Sequence, residues 1–301
     1  MIGGSGYLGR SLCAALTRVG FDLVLSQRRD SFPGAVSSQV RVAHLSLEDT
    51  EAIERLLDAE QPDVVVHLAS TLVPASDVAA YLEERRTVLE PTLRLLLRLA
   101  ERRLPVVFFS SGGAIYGPSA ESALNEESTC RPISFYGQGK LELEELIRFL
   151  GRTANLPYLI VRPSNPFGGS QVLNGRQGLI AAVLGCVRDN RTLRIWGDGQ
   201  VVRDYIYIDD LCTAVTHLIT ERTAGTVNMG SGIGHSALDV IRMVEQIVAR
   251  SVLVEFAPAR AVDVPRIVLD VSRAAGLGVP SARPLTDGIR QFAADLGLVN
   301  A

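Results

Sequence analysis

The 301 residues are 47% hydrophobic and 21% charged, an ordinary globular composition that excludes a disordered chain. A net charge of -3 gives no general attraction to nucleic acid or anionic lipid, so any phosphate must be met at local sites. Cys13, Cys130, Cys186 and Cys212 are scattered without metal-ligand spacing or a Cys-x-x-Cys pair, and no apolar run reaches the roughly 20 residues that span a bilayer; with no basic-then-apolar leader, the expected setting is the cytoplasm.

The chain opens on Gly3-Gly4-Ser5-Gly6-Tyr7-Leu8-Gly9, which runs straight into a helix predicted over Leu8 to Val19. Glycines at 3, 6 and 9 permit a tight turn, close approach of a pyrophosphate to the backbone and close packing of helix on strand. Such a turn normally follows a strand of roughly five residues, yet only Met1 and Ile2 precede Gly3. The expectation is therefore either a start that lies upstream or a sheet lacking the middle of its cofactor crevice, with lower stability and nucleotide affinity.

Strands are predicted next at Leu23 to Leu25, Val40 to Ala43, Val64 to Leu68, Val106 to Phe109 and Tyr158 to Val161, alternating with helices over Thr50 to Ala59, Val78 to Glu101 and Tyr136 to Arg152. This rhythm predicts a parallel sheet covered by helices on both faces, joined by right-handed crossovers. After the strand at Leu23 comes Ser26-Gln27-Arg28-Arg29, where a dinucleotide's ribose is read. An acidic residue there suits the 2'-hydroxyl of NAD, whereas Arg28 and Arg29 beside Gln27 suit the 2'-phosphate of NADP, unless they are only a solvated turn.

Of 30 cationic residues 29 are arginine, and the single lysine, Lys140, stands four residues after Tyr136. On a helix that spacing places both side chains on one face, where an ammonium is expected to depress the phenol's pKa and fit it for proton exchange with a sugar or alcohol hydroxyl. Beyond Arg162-Pro163 the pattern loosens. Ser164 to Gly178 reads as a loop over a site, Tyr205 to Asp210 as a strand, and Asp210 to Thr220 as a helix. The expected division is a dinucleotide-binding domain over 1–163, to which 200–220 returns, and a second lobe over 164–301.

The residues now on the page resemble the extended short-chain dehydrogenase/reductase family, in particular its nucleotide-sugar epimerases and dehydratases of the UDP-glucose 4-epimerase kind. The resemblance rests on the glycine turn, Asp63-Val64-Val65-Val66-His67-Leu68-Ala69, Ser110-Ser111-Gly112-Gly113-Ala114-Ile115-Tyr116-Gly117, and Tyr136 with Lys140. It continues through Arg162-Pro163-Ser164-Asn165-Pro166-Phe167-Gly168, Trp196-Gly197-Asp198-Gly199, Arg203-Asp204-Tyr205-Ile206-Tyr207-Ile208-Asp209-Asp210-Leu211, and Arg260 with Asp263.

The resemblance implies an α/β fold, a Rossmann-type doubly wound parallel sheet with a smaller C-terminal α/β lobe for a nucleoside diphosphate sugar. It implies Tyr136 as acid/base and Lys140 on the nicotinamide ribose. NAD or NADP would be held by Gly3, Gly6, Tyr7, Leu8, Gly9, Gln27, Arg28, Leu68, Ala69, Ser110 and Pro163 together with that pair. Asn165, Arg203, Arg260 and Asp263 would meet the sugar nucleotide. The family's Ser or Thr four residues before its Tyr-Gly pair is Gly112 here, so Ser111, or a water, is the candidate contact to the reacting oxygen. His44 replaces an aspartate that commonly meets adenine, and His67 reads as a core histidine.

Dehydration of the sugar needs an acid and a base where this chain has Gly113-Ala114, which disfavours it. Epimerisation at C4 through a transient 4-keto sugar needs only Tyr136, a held cofactor and room for the sugar to turn. The alternatives are an NADPH-dependent 4-ketoreductase and a catalytically silent nucleotide-binding homologue. The expected partners are a nucleoside diphosphate sugar, no nucleic acid, no membrane, and a second copy through Leu82 to Leu99 and Leu141 to Leu150. Sugar choice is expected to turn on Val172 to Gln177.

Overall fold

Helix and strand alternate from the first residues of the computed structural model, which describes residues 1–27, 38–173, 175, 178–260 and 264–299. In chain order come α1 (Tyr7–Arg18), β1 (Leu23–Gln27), β2 (Val40–His44), α2 (Thr50–Glu60), β3 (Val65–His67), α3 (Val78–Glu84), α4 (Glu90–Arg102), β4 (Val106–Phe109), α5 (Phe135–Ala154) and β5 (Tyr158–Pro163). There follow β6 (Asn165–Phe167), α6 (Leu179–Asp189), β7 (Leu193–Trp196), β8 (Val202–Tyr207), α7 (Ile208–Thr220), β9 (Gly225–Met229), β10 (Gly234–Ser236), α8 (Ala237–Val248), β11 (Val254–Ala257), β12 (Arg266–Ile267), α9 (Ser272–Gly276) and α10 (Leu285–Asp295).

The chain divides into two compact units. One takes Met1–Ser111, Ser134–Arg162 and Val215–Val227; the other takes Gly112–Ile133, Pro163–Ala214 and Asn228–Ala301. The strand of the RDY segment therefore does not return to the first unit, as the sequence suggested. It is the hub of the second unit's sheet, antiparallel to β10 and parallel to β6 and β12. Only Val215 onward, within α7, joins the first unit. That helix begins at Ile208 rather than Asp210, which puts Asp209 and Asp210 in its first turn, where the helix dipole favours acids.

In the first unit β1 pairs with β2, β3 with β4, and β4 with β5, all parallel, and β9 follows β5. The two parts of this sheet are joined by Ile2, which bridges Ser26 on one side and His67 on the other. Its N–H donates to Val66 at 2.8 Å and its carbonyl accepts from Leu68 at 2.9 Å. Between β1 and β3 lies a cavity of about 340 Å³ lined by Leu23, Val24, Leu57, Val64, Val65 and Ile219, among others. The Met1 amine borders it, donating to the Val24 carbonyl at 2.6 Å, and burial pulls that amine down to about 6.

Helix α4 buries Leu95, Leu96 and Leu99, and α5 buries Leu143, Ile147 and Leu150, in one core with Val106 and Phe108 of β4. The single helix predicted over Val78 to Glu101 is interrupted by a wide π-turn at Arg85–Leu89, where the Glu90 N–H reaches back to the Arg85 carbonyl. Pro91 gives a physical reason, because it has no N–H to offer the carbonyl four residues earlier.

Two charges on the buried stripe of α5 fix that helix to the sheet. Glu144, fully buried, accepts from Arg162 Nε at 3.0 Å and Nη2 at 2.6 Å, and from Arg148 Nη2 at 2.7 Å. Arg162 on β5 is 1% exposed, so neither charge has water to fall back on. Replacing Glu144 by Gln leaves Arg162 without a counter-charge and is expected to lower unfolding free energy by about 3–5 kcal/mol, read from the urea midpoint. Arg148→Met, at a position 19% exposed, is expected to lower it by less.

Candidate active site

The glycine turn of the first unit is shaped by contacts that admit no side chain. A Cβ on Gly9 would lie 2.5 Å from the Gly4 carbonyl oxygen, and one on Gly3, whose φ is +78°, would lie 2.8 Å from the Ala69 nitrogen. The turn is thus pressed against the backbone of Leu68 and Ala69. Gly6 is different: its Cβ would meet only the Gly3 carbonyl oxygen at 3.5 Å, so the fold alone does not demand glycine there. Gly6 caps α1 with no side-chain hydrogen bond and no acid in the first turn, leaving the helix's first N–H groups and its positive end for an anion. Tyr7 and Leu8 begin that helix.

At the ends of the neighbouring strands three polar atoms are buried with no hydrogen-bond partner among the described residues, Gln27 Oε1 on β1, His67 Nδ1 on β3 and Ser110 Oγ after β4. Orphaned buried acceptors and donors are uncommon in a finished core and mark groups that await a ligand. With the glycine turn they form a cradle whose chemistry fits a dinucleotide. Arg28 and Asp263 lie outside the described residues.

Ser134 caps α5, accepting from the Gly137 N–H at 3.1 Å, and Tyr136 is the second residue of the helix. The half-buried Tyr136 lies close enough to Ser111, one residue past Ser110 and itself buried, for that hydroxyl to act on the phenol. One turn further, Lys140 is buried; its ammonium donates to the Phe109 carbonyl at 2.8 Å and sits 5.0 Å from the Phe108 ring centre and 6.0 Å from that of Tyr136.

The expected depression of the phenol is not what the structure shows. Burial pushes Tyr136 above its ordinary value, the Ser111 hydroxyl pulls it down, and the charge of Glu84 raises it. Lys140 is itself lowered to about 8, first by burial, against the raising fields of Glu84 and Glu144. One of the ammonium's three N–H donors goes to a backbone carbonyl, and its nitrogen stands over the Tyr136 ring at 6.0 Å from the centre.

Glu84 is the residue that sequence reading missed. It is 2% exposed at the end of α3, and its carboxylate accepts from Ser70 Oγ at 2.8 Å, the Thr71 N–H at 2.8 Å and Thr71 Oγ1 at 2.5 Å. Helical spacing gave no signal for it, because the π-turn at Arg85–Leu89 lies between Glu84 and the buried residues that follow.

In the second unit Asn165 donates from Nδ2 to the Asp204 carbonyl at 2.8 Å and borders Gly113, whose Cβ would lie 3.6 Å from Asn165 Oδ1. Gly112 donates to the carbonyl of Pro163 at 2.8 Å. Arg203 donates to the carbonyls of Val202 at 2.9 Å and Val264 at 2.6 Å, while Arg260 is exposed and stacks over Trp196 at 5.4 Å. Several motif residues prove architectural. Tyr116 is buried and donates to Asn228 Oδ1 at 2.6 Å, and a Cβ on Gly117 would strike the Arg131 carbonyl. Asp204, fully buried, accepts from the N–H groups of Ser231, Gly232 and Leu269. His44 is exposed at the end of β2. His67 is fully buried, with Nε2 2.9 Å from Thr92 Oγ1.

Comparison with known proteins adds three findings. The model of the NAD dependent epimerase/dehydratase family matches residues 1–230. The chain is similar to the UDP-glucose 4-epimerase of Azospirillum brasilense, 30% identical with 90% of this chain and 83% of that one covered, and to the dTDP-4-dehydro-6-deoxyglucose reductase of Escherichia coli, 28% identical with 95% and 93% covered. Its structure is similar to that of the Thermus thermophilus UDP-glucose 4-epimerase in complex with NAD, with a TM-score of 0.88, 26% identity, and 97% and 96% of the two chains covered.

Burial drives the His67 imidazole down to about 3, so it is neutral in the fold. Between that value and its ordinary pKa near 6.5 the unfolded chain binds a proton that the native chain does not, and stability falls as pH drops through this window, by at most about 1.4 kcal/mol per pH unit from this one group. Urea midpoints measured from pH 7 to pH 4 are expected to fall less steeply for His67→Gln than for the unsubstituted protein.

Proposed function

This chain belongs to the NAD dependent epimerase/dehydratase family, and from that premise we propose that it is a nucleotide-sugar 4-epimerase acting on a UDP-hexose through a transient 4-keto sugar. The observation that carries the reading is the placing of Tyr136 and Lys140 on α5, a phenol followed one turn later by a buried ammonium, with the Ser111 hydroxyl among the groups that act on the phenol. Similarity to the Azospirillum epimerase and to the Thermus epimerase bound to NAD supports it.

In this reading NAD, when bound, supplies the acceptor and later the donor of the C4 hydride. Gly3, Gly6 and Gly9 with the start of α1 hold its pyrophosphate; Gln27, Leu68, Ala69, Ser110 and Pro163 line its path. Tyr136 takes the proton of the C4 hydroxyl as the hydride leaves, and returns it after the keto sugar has turned over. Ser111 positions that oxygen in place of the hydroxyl absent at Gly112. Lys140 stabilises the phenolate by its field and holds the ribose. Asn165, Arg203 and Arg260 are the candidates for the sugar nucleotide, the two arginines being suited to its diphosphate.

The second reading, an NADPH-consuming 4-ketoreductase, is favoured by similarity to the Escherichia coli reductase and, in sequence alone, by Arg28 and Arg29. We further propose a cytoplasmic homodimer with a place in carbohydrate biosynthesis, formed through α4 and α5, on which Leu93, Leu97 and Phe149 are exposed.

The test is to incubate the protein with UDP-glucose, UDP-galactose or a 4-keto deoxysugar nucleotide, with and without NADPH. Epimerisation predicts interconversion of the first two without net cofactor consumption, and a fall of at least about 10²-fold in Tyr136→Phe with the fold retained. Consumption of NADPH on the keto sugar favours the reductase. No change in any substrate, with Tyr136→Phe indistinguishable from the unsubstituted protein, contradicts both and leaves a silent nucleotide-binding protein.

A further inference from the structure

A buried carboxylate outside the motif residues ends the helix that packs against α5. Glu84 ends α3 where the chain enters the π-turn, and wide turns of this kind are frequent at functional sites. Three donors from Ser70 and Thr71 converge on its two oxygens, the pattern of an acceptor-only, ionised group. Those donors belong to the segment directly after Leu68 and Ala69, the backbone against which the glycine turn is pressed. Across from Glu84, α3 packs on α5 at Gly139: a Cβ there would lie 3.8 Å from the Tyr81 ring, 3.7 Å from Leu72 and 3.8 Å from Leu89. Tyr81 also hydrogen-bonds to Glu142 and stacks on Phe135 at 5.1 Å. The absent side chain at 139 lets the two helices close beside the next residue, which is Lys140.

We propose that Glu84 is a positioning residue that acts through Lys140 and Tyr136, a buried counter-charge to the ammonium whose hydrogen bonds fix the 70–71 segment beside the glycine turn. This rests on the reading of Tyr136 and Lys140 as the catalytic pair. Other groups around that pair are Glu144 on α5 with Arg162 and Arg148 against it, His67 on β3, and the Ser111 hydroxyl. Glu144 is already paired with two guanidinium groups. The hydrogen bonds that Ser70 and Thr71 give to Glu84 come from neutral groups, so its charge is less neutralised than that of Glu144 and reaches further. The field of Glu84 raises both Lys140 and Tyr136. Its removal therefore lets ammonium and phenol alike lose their protons at lower pH.

The lone lysine makes the test direct. Protein labelled at the lysine ε-carbon gives one resonance, and its titration reads Lys140 without any need for turnover. Glu84→Gln is expected to lower that titration by roughly one pH unit, and Glu84→Asp to lie between the two. Thr71→Val removes one donor while leaving the charge, and is expected to raise it by roughly a few tenths of a unit, a second route if Glu84→Gln does not fold. In epimerisation assays both limbs of the pH profile are expected to move to lower pH in Glu84→Gln. A Lys140 titration unmoved in Glu84→Gln or in Thr71→Val overturns the proposal and leaves Glu84 a structural acid. Because the titration uses neither substrate nor cofactor, it fails separately from the proposed reaction.

Discussion

A single ammonium buried beneath a parallel sheet constrains this molecule more than any other feature. Taking a lysine out of water disfavours its charge by several kcal/mol unless the surroundings answer it. Here they do so in three ways: the Phe109 carbonyl at the end of β4, the carboxylates of Glu84 and Glu144, and the faces of Phe108 and Tyr136. Each answer ties α5 to another element. Glu144 in turn needs Arg162 of β5, so the helix that carries Tyr136 is held to the sheet by bonds whose breaking would strand a charge. A catalytic helix fixed this way keeps its phenol in one place, which general acid/base chemistry requires.

The glycine turn depends on a slighter support. Ile2 alone bridges β1 and β3, and Gly3 follows it directly, pressed onto Leu68 and Ala69. The position of the turn is thus set by a few main-chain bonds, Ile2 to Val66, Leu68 to Ile2 and Ser26 to Met1, beside a cavity of about 340 Å³. That cavity opens at the N-terminal ends of β1 and β3, the end of the sheet away from Gln27 and Leu68.

Much of the first unit was legible because its signals are local. Runs of three to five residues gave β1 to β5, and Ser134, Gly6 and Asp49 mark helix starts by chemistry that a sequence shows. Tyr136 and Lys140 were legible because a lone lysine at helical spacing stands out, Ser111 only through the resemblance, and the structure places the Lys140 nitrogen 6.0 Å from the Tyr136 ring centre. What was not legible is tertiary. Gly112–Ile133 folds with the second unit because Tyr116 reaches Asn228 and the Leu124 N–H reaches the Val268 carbonyl, pairings more than 100 residues apart. Glu84 sat inside a helix whose register Pro91 and the π-turn displace, so its burial could not be counted from spacing. The sign of the Tyr136 shift was misjudged because spacing reveals a neighbour but not the loss of water, which is the larger effect here.

The claim at the centre is that position 140 requires an ammonium rather than merely a positive charge. Lys140→Arg tests it most directly, because the remaining 29 cations of the chain are arginine and the planar guanidinium cannot reproduce a compact, deeply set ammonium. Measured as turnover of UDP-glucose to UDP-galactose by protein whose circular dichroism matches the unsubstituted chain, the account predicts a loss of at least about 10²-fold. Turnover at the unsubstituted rate would contradict it.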